Sequence, residues 1–228
     1  MLLLAACGGD DDSSPTTAAA SVTTAAPATT DAPATTDAPG TTDAPGTSST
    51  TAGVALEDAL LTVDDVGEGF VATPGDPGDP DDLTPCGTPG VQQVVPPVDE
   101  ASVDLTNDDA NLFLSHQVFA YDESGAAQEA MAAGREGLAC GSGSSTEADG
   151  STTEFELTEV DPPEGLAEEV FAYTGTVTTG GQTVDATFVA LRQGSAISTM
   201  TFISGSDSTG PPIEPILGIA ADKLAAVG

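Results

Sequence analysis

The residues that could carry chemistry in this chain are few. His116 is the only histidine, which excludes sites that need two or more histidines and therefore most zinc hydrolases. Its neighbours at alternating positions are the apolar residues Leu112, Leu114 and Val118. This pattern favours a hydrogen-bonded histidine in the core, or at its rim, over a catalytic one. Because no nucleophile elbow, phosphate loop or dinucleotide fingerprint occurs, we expect a protein that is not an enzyme and has no cofactor.

A cluster of aspartates offers the second candidate site. Proline and glycine in the segment PGDPGDPDD, which begins at Pro74, break both helix and strand and predict a loop. Carboxylate oxygens are the ligands that calcium prefers, but the spacing differs from that of an EF-hand. A solvated loop is therefore favoured, with a weak calcium site as the alternative; the candidate ligands are Asp76, Asp79, Asp81 and Asp82.

The cysteine nearest the N-terminus has a distinctive context. Leu4-Ala5-Ala6-Cys7, followed by two glycines, resembles the lipobox of bacterial lipoproteins, in which the cysteine receives lipid. The resemblance implies that residues 1–6 are the remnant of a lipoprotein signal peptide, with the start codon assigned too far downstream. Cys7 would then anchor the mature protein to the outer face of the membrane. The alternative is a soluble protein in which Cys7 is incidental.

Two further cysteines fit an exported protein. If Cys7 carries lipid, Cys86 and Cys140 form an even pair, which in an oxidising compartment predicts a disulfide. A bridge that closes this 54-residue loop would contribute about 4 kcal/mol on the chain-entropy account. Two free thiols are the alternative.

The N-terminal quarter of the chain differs in composition from the rest. Residues 7–53 contain a six-residue repeat, Thr-Thr-Asp-Ala-Pro plus one residue, and no aromatic side chain. Such a Thr/Ala/Pro tail cannot bury enough apolar surface to offset the entropy of ordering, so it predicts a disordered spacer. Residues 54–228 then form one domain, which is a normal domain size.

The charge of the chain excludes some partners. Three lysines and arginines face 37 aspartates and glutamates, for a formal net charge of −34. A chain of this charge repels nucleic acid, so nucleic acid is not an expected partner. The acidity is interpreted either as a solvated surface suited to high salt or as a cation-binding surface.

Periodicity in residues 54–228 predicts an α+β fold. Helices are expected at 55–61, from a cap at Asp122 or Ser124 to about residue 139, and over a last segment that carries Ile213, Leu217 and Leu224 on one side. Strands are expected at 111–121, from Phe155, and at 170–177, 184–191 and 196–203; the last three are joined by short glycine turns that imply antiparallel pairing. We therefore expect a curved antiparallel sheet with helices packed on one face. The segment after Cys140, rich in serine and glycine, is expected to be a flexible loop.

If the protein binds a ligand, the concave face of the sheet is the expected place for a pocket. The candidates to line it are Phe188, Met200 and Phe202, with His116 as a weaker one. The same residues would serve equally as plain core, and a completely filled interior would count against a binding site.

Three segments carry a resemblance to a known group of proteins. They are ALLTVDDVGEGF, ending at Phe70; VFAYDESGAAQEAMAAGREGLAC, ending at Cys140; and VALRQGSAISTMTF, ending at Phe202. Together they are similar to small lipid-anchored envelope domains of actinobacteria, among them the extracellular sensor domain of PknH-type kinases. The resemblance implies an exported α+β domain that binds a small molecule or envelope component. A structural or acidic surface lipoprotein is the first alternative, and an envelope hydrolase the second.

Overall fold

The computed structural model describes residues 55–76, 84–146, 152–205, 208 and 212–228. Cys7, the spacer, the domain boundary at residue 54 and the aspartates at 79, 81 and 82 lie outside this range. Within it, the strands are β1 (Val71–Pro74), β2 (Asp99–Asn107), β3 (Leu112–Ala120), β4 (Ser142–Thr146), β5 (Thr152–Val160), β6 (Glu169–Thr179), β7 (Gln182–Gln193) and β8 (Ala196–Gly205).

Short and long helices accompany these strands. The helices are α1 (Val63–Val66), α2 (Val91–Val94), α3 (Ser124–Leu138) and α4 (Ile213–Leu224), and a 3₁₀ turn covers Leu56–Ala59. No helix in the described ranges has the length and apolar composition needed to span a bilayer. The predicted α+β class is confirmed.

All eight strands form one antiparallel sheet in the order β1-β2-β3-β8-β7-β6-β5-β4. The chain runs from β3, in the middle, to β4 at the far edge, and returns strand by strand until β8 pairs with β3. Helix α3 makes this crossing, which places it across one face of the sheet. The antiparallel pairing predicted from the glycine turns is confirmed.

Helices pack on both faces of the sheet, which corrects the expectation of a single covered face. Side chains alternate along each strand, so each face collects its own apolar set. One face, here named the α4 face, packs Leu105, Leu114, Val118, Val189, Leu191 and Met200 against α4 and the 3₁₀ turn. The other, the α3 face, packs Phe119, Phe155, Phe171, Tyr173, Ala190 and Ile197 against α3. Strands β3 and β6–β8 carry apolar residues on both sides, which explains why helices cover both faces of the sheet.

The strands β1, β2 and β4 were not expected. Strand β4 occupies the serine- and glycine-rich segment that was predicted to be a loop; it pairs with β5 through Gly143 opposite Phe155. Glycine is required there, because a β-carbon at Gly143 would meet the Phe155 ring and the Pro85 carbonyl. Edge strands of this kind carry little apolar signal, since one side of their backbone has no partner strand.

The disulfide between Cys86 and Cys140 is present, with the two Cα atoms 5.6 Å apart. The backbone N–H of Cys140 also donates to the sulfur of Cys86 at 3.0 Å. The bridge fastens the loop that follows the aspartate-rich segment to the end of α3. A β-carbon at Gly137 would collide with Thr84, so the small residue lets this loop lie against the helix.

Candidate functional site

His116 is completely buried on the α4 face of β3. Its Nδ1 accepts the backbone N–H of Leu61 at 3.0 Å, and its Nε2 lies 2.8 Å from Oγ of Ser198, which is also completely buried. The predicted buried, hydrogen-bonded histidine is found. Its partners come from positions 55 and 82 residues away in the sequence, so alternation along β3 could not identify them.

This geometry decides which proton the histidine carries. Because Nδ1 accepts a backbone N–H, the proton of the neutral ring is on Nε2, which donates to Ser198. A serine nucleophile needs the opposite arrangement, in which Nε2 is unprotonated and takes the serine proton. Burial, together with the positive charge of Lys223, lowers the pKa of His116 to about 3, against a smaller opposing effect of Asp65. The pair is therefore a neutral structural contact.

Lys223 of α4 makes two further polar contacts with the N-terminal segment, which His116 also contacts through Leu61. Its Nζ lies 2.7 Å from Oδ2 of Asp65 and donates to the backbone carbonyl of Leu60 at 2.8 Å. Asp65 also accepts the backbone N–H of Thr62 at 2.7 Å in a capping box that begins α1. Burial acts to raise the pKa of Asp65, but the hydrogen bonds from Lys223 and Thr62 outweigh it and lower that pKa.

All three cationic side chains of the chain are ion-paired. Arg192, with only 7% of its side chain exposed, lies 2.7 Å from Glu168 and 3.1 Å from Glu169. Arg135 lies 3.5 Å from Glu159 and over the ring of Phe171, and Lys223 pairs with Asp65 as above. Since the sequence holds three lysines and arginines in total, every positive side chain already has a carboxylate partner.

An apolar cleft of about 60 Å³ lies on the α4 face, where the start of β3 and the end of β8 meet α4. The residues that line it include Phe70, Leu112, Leu114, Phe202, Ile213 and Ile216. The elements that form it are distant in sequence: the chain after α1, the central strand pair and the first turn of α4. A small apolar space therefore remains at this end of the sheet.

The four predicted pocket residues do not gather in this cleft. Phe202 lines it, whereas Met200 and His116 lie deeper on the same face and are buried in the core. Phe188 was wrongly grouped with them, because it pairs with Thr201 and so points to the α3 face, while Met200 pairs with Val189. In an antiparallel pair, only residues directly opposite each other, or an even number of positions away, share a face.

The cleft also contains residues that the sequence did not single out. The sequence pattern puts Ile213 on the apolar side of the last helix and Leu114 on one face of β3, but it does not show that the two residues meet. Phe70 carried no such signal, because it follows a glycine-rich turn and its position depends on tertiary packing.

A second cavity, of about 230 Å³, lies at the same end of the sheet. It combines the polar residues Thr106, Asn107, Asp108 and Asn111 with the apolar Val184 and Ile203. Asn111 has a positive φ of 52° in the turn between β2 and β3, a conformation that asparagine tolerates better than most residues.

Of the calcium candidates, Asp76 alone lies within the described residues, and its carbonyl accepts the side-chain N–H of Gln117 at 3.1 Å. Within the described ranges, no group of three or more histidine, cysteine, aspartate or glutamate side chains is arranged to hold a metal ion.

Comparisons place the fold among known structures. No protein-family model and no curated protein matches the sequence. Among solved structures, the extracellular domain of PknH from Mycobacterium tuberculosis matches with a TM-score of 0.53 and 12% identity, over 76% of this chain and 95% of that one. An Rv0999 ortholog from Mycobacterium smegmatis matches with a TM-score of 0.41 and 12% identity, over 72% of this chain and 92% of that one. The predicted similarity to the PknH-type extracellular domain is confirmed at the level of the fold.

Proposed function

We propose that this chain is an extracytoplasmic, sensor-like binding domain that catalyses no reaction and is held to the membrane by lipid on Cys7. Its ligand is a small molecule or an envelope component whose apolar end enters the cleft beside Phe202. The observation that carries this proposal is the cleft itself, because a core built only for stability would fill this space.

The size of the cleft limits what it can accept. At about 60 Å³, it is well below the roughly 150 Å³ of an apolar cavity that holds benzene, and below the roughly 300 Å³ of small drug sites. One branched side chain or the end of an alkyl chain fits. The rest of the ligand would lie outside, along the sheet end or over the start of α4.

The non-catalytic part of the proposal is supported by His116. It is the histidine on which a hydrolase would most readily depend, and its Nε2 proton is directed at Ser198. Both residues are completely buried, so a substrate would have no route to them without opening the core.

The extracytoplasmic location is supported by the disulfide between Cys86 and Cys140, because such bonds persist in oxidising compartments. Intact mass spectrometry of protein extracted from its native membranes tests location and anchor together. A chain that starts at Cys7, carries lipid and gains two hydrogens on reduction is expected; an unlipidated chain with three free thiols would refute both.

The binding role is tested by filling the cleft. Ser204 lines the cleft at the end of β8, so Ser204→Leu should occupy the space while leaving the core intact. Thr176→Leu, on the same face of β6 and away from the cleft, is the matched control. Methyl NMR with a series of short alkanols as probes should show shifts at Ile213 and Ile216 that vanish in Ser204→Leu alone. Equal shifts in all three proteins, or none in the wild type, would count against a binding cleft.

A structural role as an acidic surface protein is the second candidate. It is favoured by the ion pairing of all three cations, because no positive side chain then offsets the remaining carboxylates. If the cleft binds no probe, this function becomes the better account.

A further inference from the structure

The apolar cleft adjoins a polar part of the α4 face. Ser204 lines the cleft, and the register places it directly opposite Asp185 of β7. Asp185 is opposite Thr176 of β6, and Thr176 is opposite Glu156 of β5. Directly opposed residues in antiparallel strands share a face, with Cβ atoms about 4.5–5.5 Å apart. These four side chains, here named the polar row, therefore lead away from the cleft across the neighbouring strands.

Hydroxyl groups run beside the polar row on the same face. Phe202, at the wall of the cleft, is opposite Thr187, and Thr187 is opposite Thr174. The two Oγ1 atoms of Thr174 and Thr187 are 3.3 Å apart. The side chains of Asp185, Glu156 and Thr174 are exposed. This part of the sheet is therefore accessible to the outer portion of a molecule that enters the cleft.

The three positive side chains of the whole sequence lie away from the polar row. Arg192 is at the other end of β7 from Asp185, about 24 Å along the strand. Arg135 lies over the ring of Phe171 on the α3 face. Lys223 is in the last turn of α4, about 15 Å along the helix from the first turn that lines the cleft. The distances along β7 and α4 exceed the screening length of about 10 Å at 0.1 M salt.

The carboxylates of the polar row therefore select the charge of a ligand. An anionic end group placed there would meet like charges at Asp185 and Glu156, with no protein cation near enough to offset them. An ammonium group has three N–H donors and no acceptor. It would be attracted by Asp185 and could donate to the hydroxyls of Thr176 and Thr187, which flank that residue on the same face.

We infer that the ligand of the cleft is a cationic amphiphile, with its alkyl end beside Phe202 and an ammonium group against Asp185. The inference rests on the proposed function, because it names the chemical class of the ligand for that same cleft. One strand spacing, about 4.8 Å, separates Ser204 from Asp185, so a short alkyl chain spans the distance. Asp185 is exposed, and solvent screens the contact, so an ammonium end should improve affinity about two- to fivefold over an uncharged end at low salt.

The test compares three probes of equal chain length, n-pentylammonium, n-pentanol and n-pentanoate, titrated into the full chain at about 0.01 M salt. Methyl NMR shifts at Ile213 and Ile216, which line the cleft, give a dissociation constant for each probe. We expect the wild type to bind pentylammonium about two- to fivefold tighter than pentanol, and pentanoate more weakly than pentanol. The preference should disappear at about 1 M NaCl. The readout is the ratio of two constants within one protein, so small changes in the cleft itself cancel.

In Asp185→Asn the ratio should fall towards one, and in Asp185→Lys pentanoate should bind tighter than pentylammonium. Glu129→Gln removes an exposed carboxylate from α3, on the other face of the sheet; it is the matched control and should keep the wild-type ratio.

The possible failures of this experiment are distinguishable. If none of the three probes binds, the proposed function is overturned and this inference with it. If pentanol binds but pentylammonium binds no tighter, the inference alone is overturned. An equal preference in the wild type and Asp185→Asn would also overturn it, because the preference would then come from the acidic surface as a whole.

Discussion

At the scale of single residues, the surroundings of His116 make this side chain a source of pH dependence in stability. Its pKa is about 3 in the folded protein and near 6.5 when the ring is free in solvent. The unfolded chain therefore binds the proton more tightly, and stability rises with pH between these two values. The contribution is complete above about pH 6.5 and is lost progressively as the pH falls towards 3.

We predict that the free energy of unfolding of the wild type falls by about 2 kcal/mol between pH 7 and pH 5, since each pH unit below 6.5 costs about 1.4 kcal/mol. His116→Gln should be less stable at pH 7, because it disturbs the bonds to Leu61 and Ser198, but should lack this slope. Urea unfolding followed by circular dichroism at several pH values measures both. Parallel pH profiles for the two proteins would show that His116 is solvated in the fold.

How far this site was predictable differs from residue to residue. The burial of His116 follows from alternation with Leu114 and Val118, which the sequence displays. Its bonding partners do not, because a backbone N–H at Leu61 and a hydroxyl at Ser198 become neighbours only when three distant segments pack. Phe188 was misplaced for a related reason, since face assignment across a turn depends on register and a shift of one residue reverses it.

At the scale of elements, α4 and the N-terminal segment are joined by Lys223. The segment of the 3₁₀ turn and α1 forms no strand, and it is held by buried Leu56, Ala59 and Leu61 together with the polar contacts to Lys223 and His116. The ammonium group bonds to both the Leu60 carbonyl and Asp65. Its side chain is 24% exposed and that of Asp65 19%, so solvent screens the pair less than an ordinary surface pair.

We predict that Lys223→Met lowers the free energy of unfolding by about 1–2 kcal/mol, because it leaves a carbonyl and a partly buried carboxylate without their donor. Arg135→Met is the control, since its ion pair with Glu159 is about half exposed, and such pairs contribute only about 0–1 kcal/mol. Native-state hydrogen exchange should show faster exchange at the Leu61 amide in the Lys223 variant alone. Unchanged protection there would mean that apolar packing holds the segment by itself.

The longer elements were predictable, and the shorter ones were not. Strands β3 and β5 to β8 and helices α3 and α4 carry apolar residues at the strand or helix period, and their positions agree with expectation. Strand β2 also alternates between apolar and polar residues, with Ala101, Val103 and Leu105 on the α4 face. Its other side is polar and acidic, so the apolar signal is weaker than in the central strands. Strands β1 and β4 have five residues or fewer and are stabilised by pairing with a neighbour.

At the scale of the whole molecule, the large excess of negative charge governs how stability responds to salt. A net charge of −34 makes the carboxylates repel one another in the compact state. The screening length falls from about 30 Å at 0.01 M salt to about 3 Å at 1 M. The four ion pairs made by the three cationic side chains work in the opposite direction, because salt weakens them, but the unpaired carboxylates far outnumber them.

We therefore predict that the unfolding temperature rises by several degrees between 0.01 M and 1 M KCl, with most of the gain below 0.2 M, where screening changes fastest. Sucrose at equal osmolarity is the control for general exclusion effects. A fall in unfolding temperature on adding KCl would show that the ion pairs of Arg192 and Lys223 outweigh the repulsion.

The attachment of the N-terminal segment has a mechanical consequence. Any tension in the chain before Ala55 reaches the domain first through the 3₁₀ turn, and only then the sheet. The bonds of Leu60 to Lys223 and Leu61 to His116 lie directly on that path. The hydrogen bonds that join β3, β8 and β7 bear the load only after these contacts have broken. Under load the segment should therefore detach as a separate early event, and the sheet should yield later at a higher force.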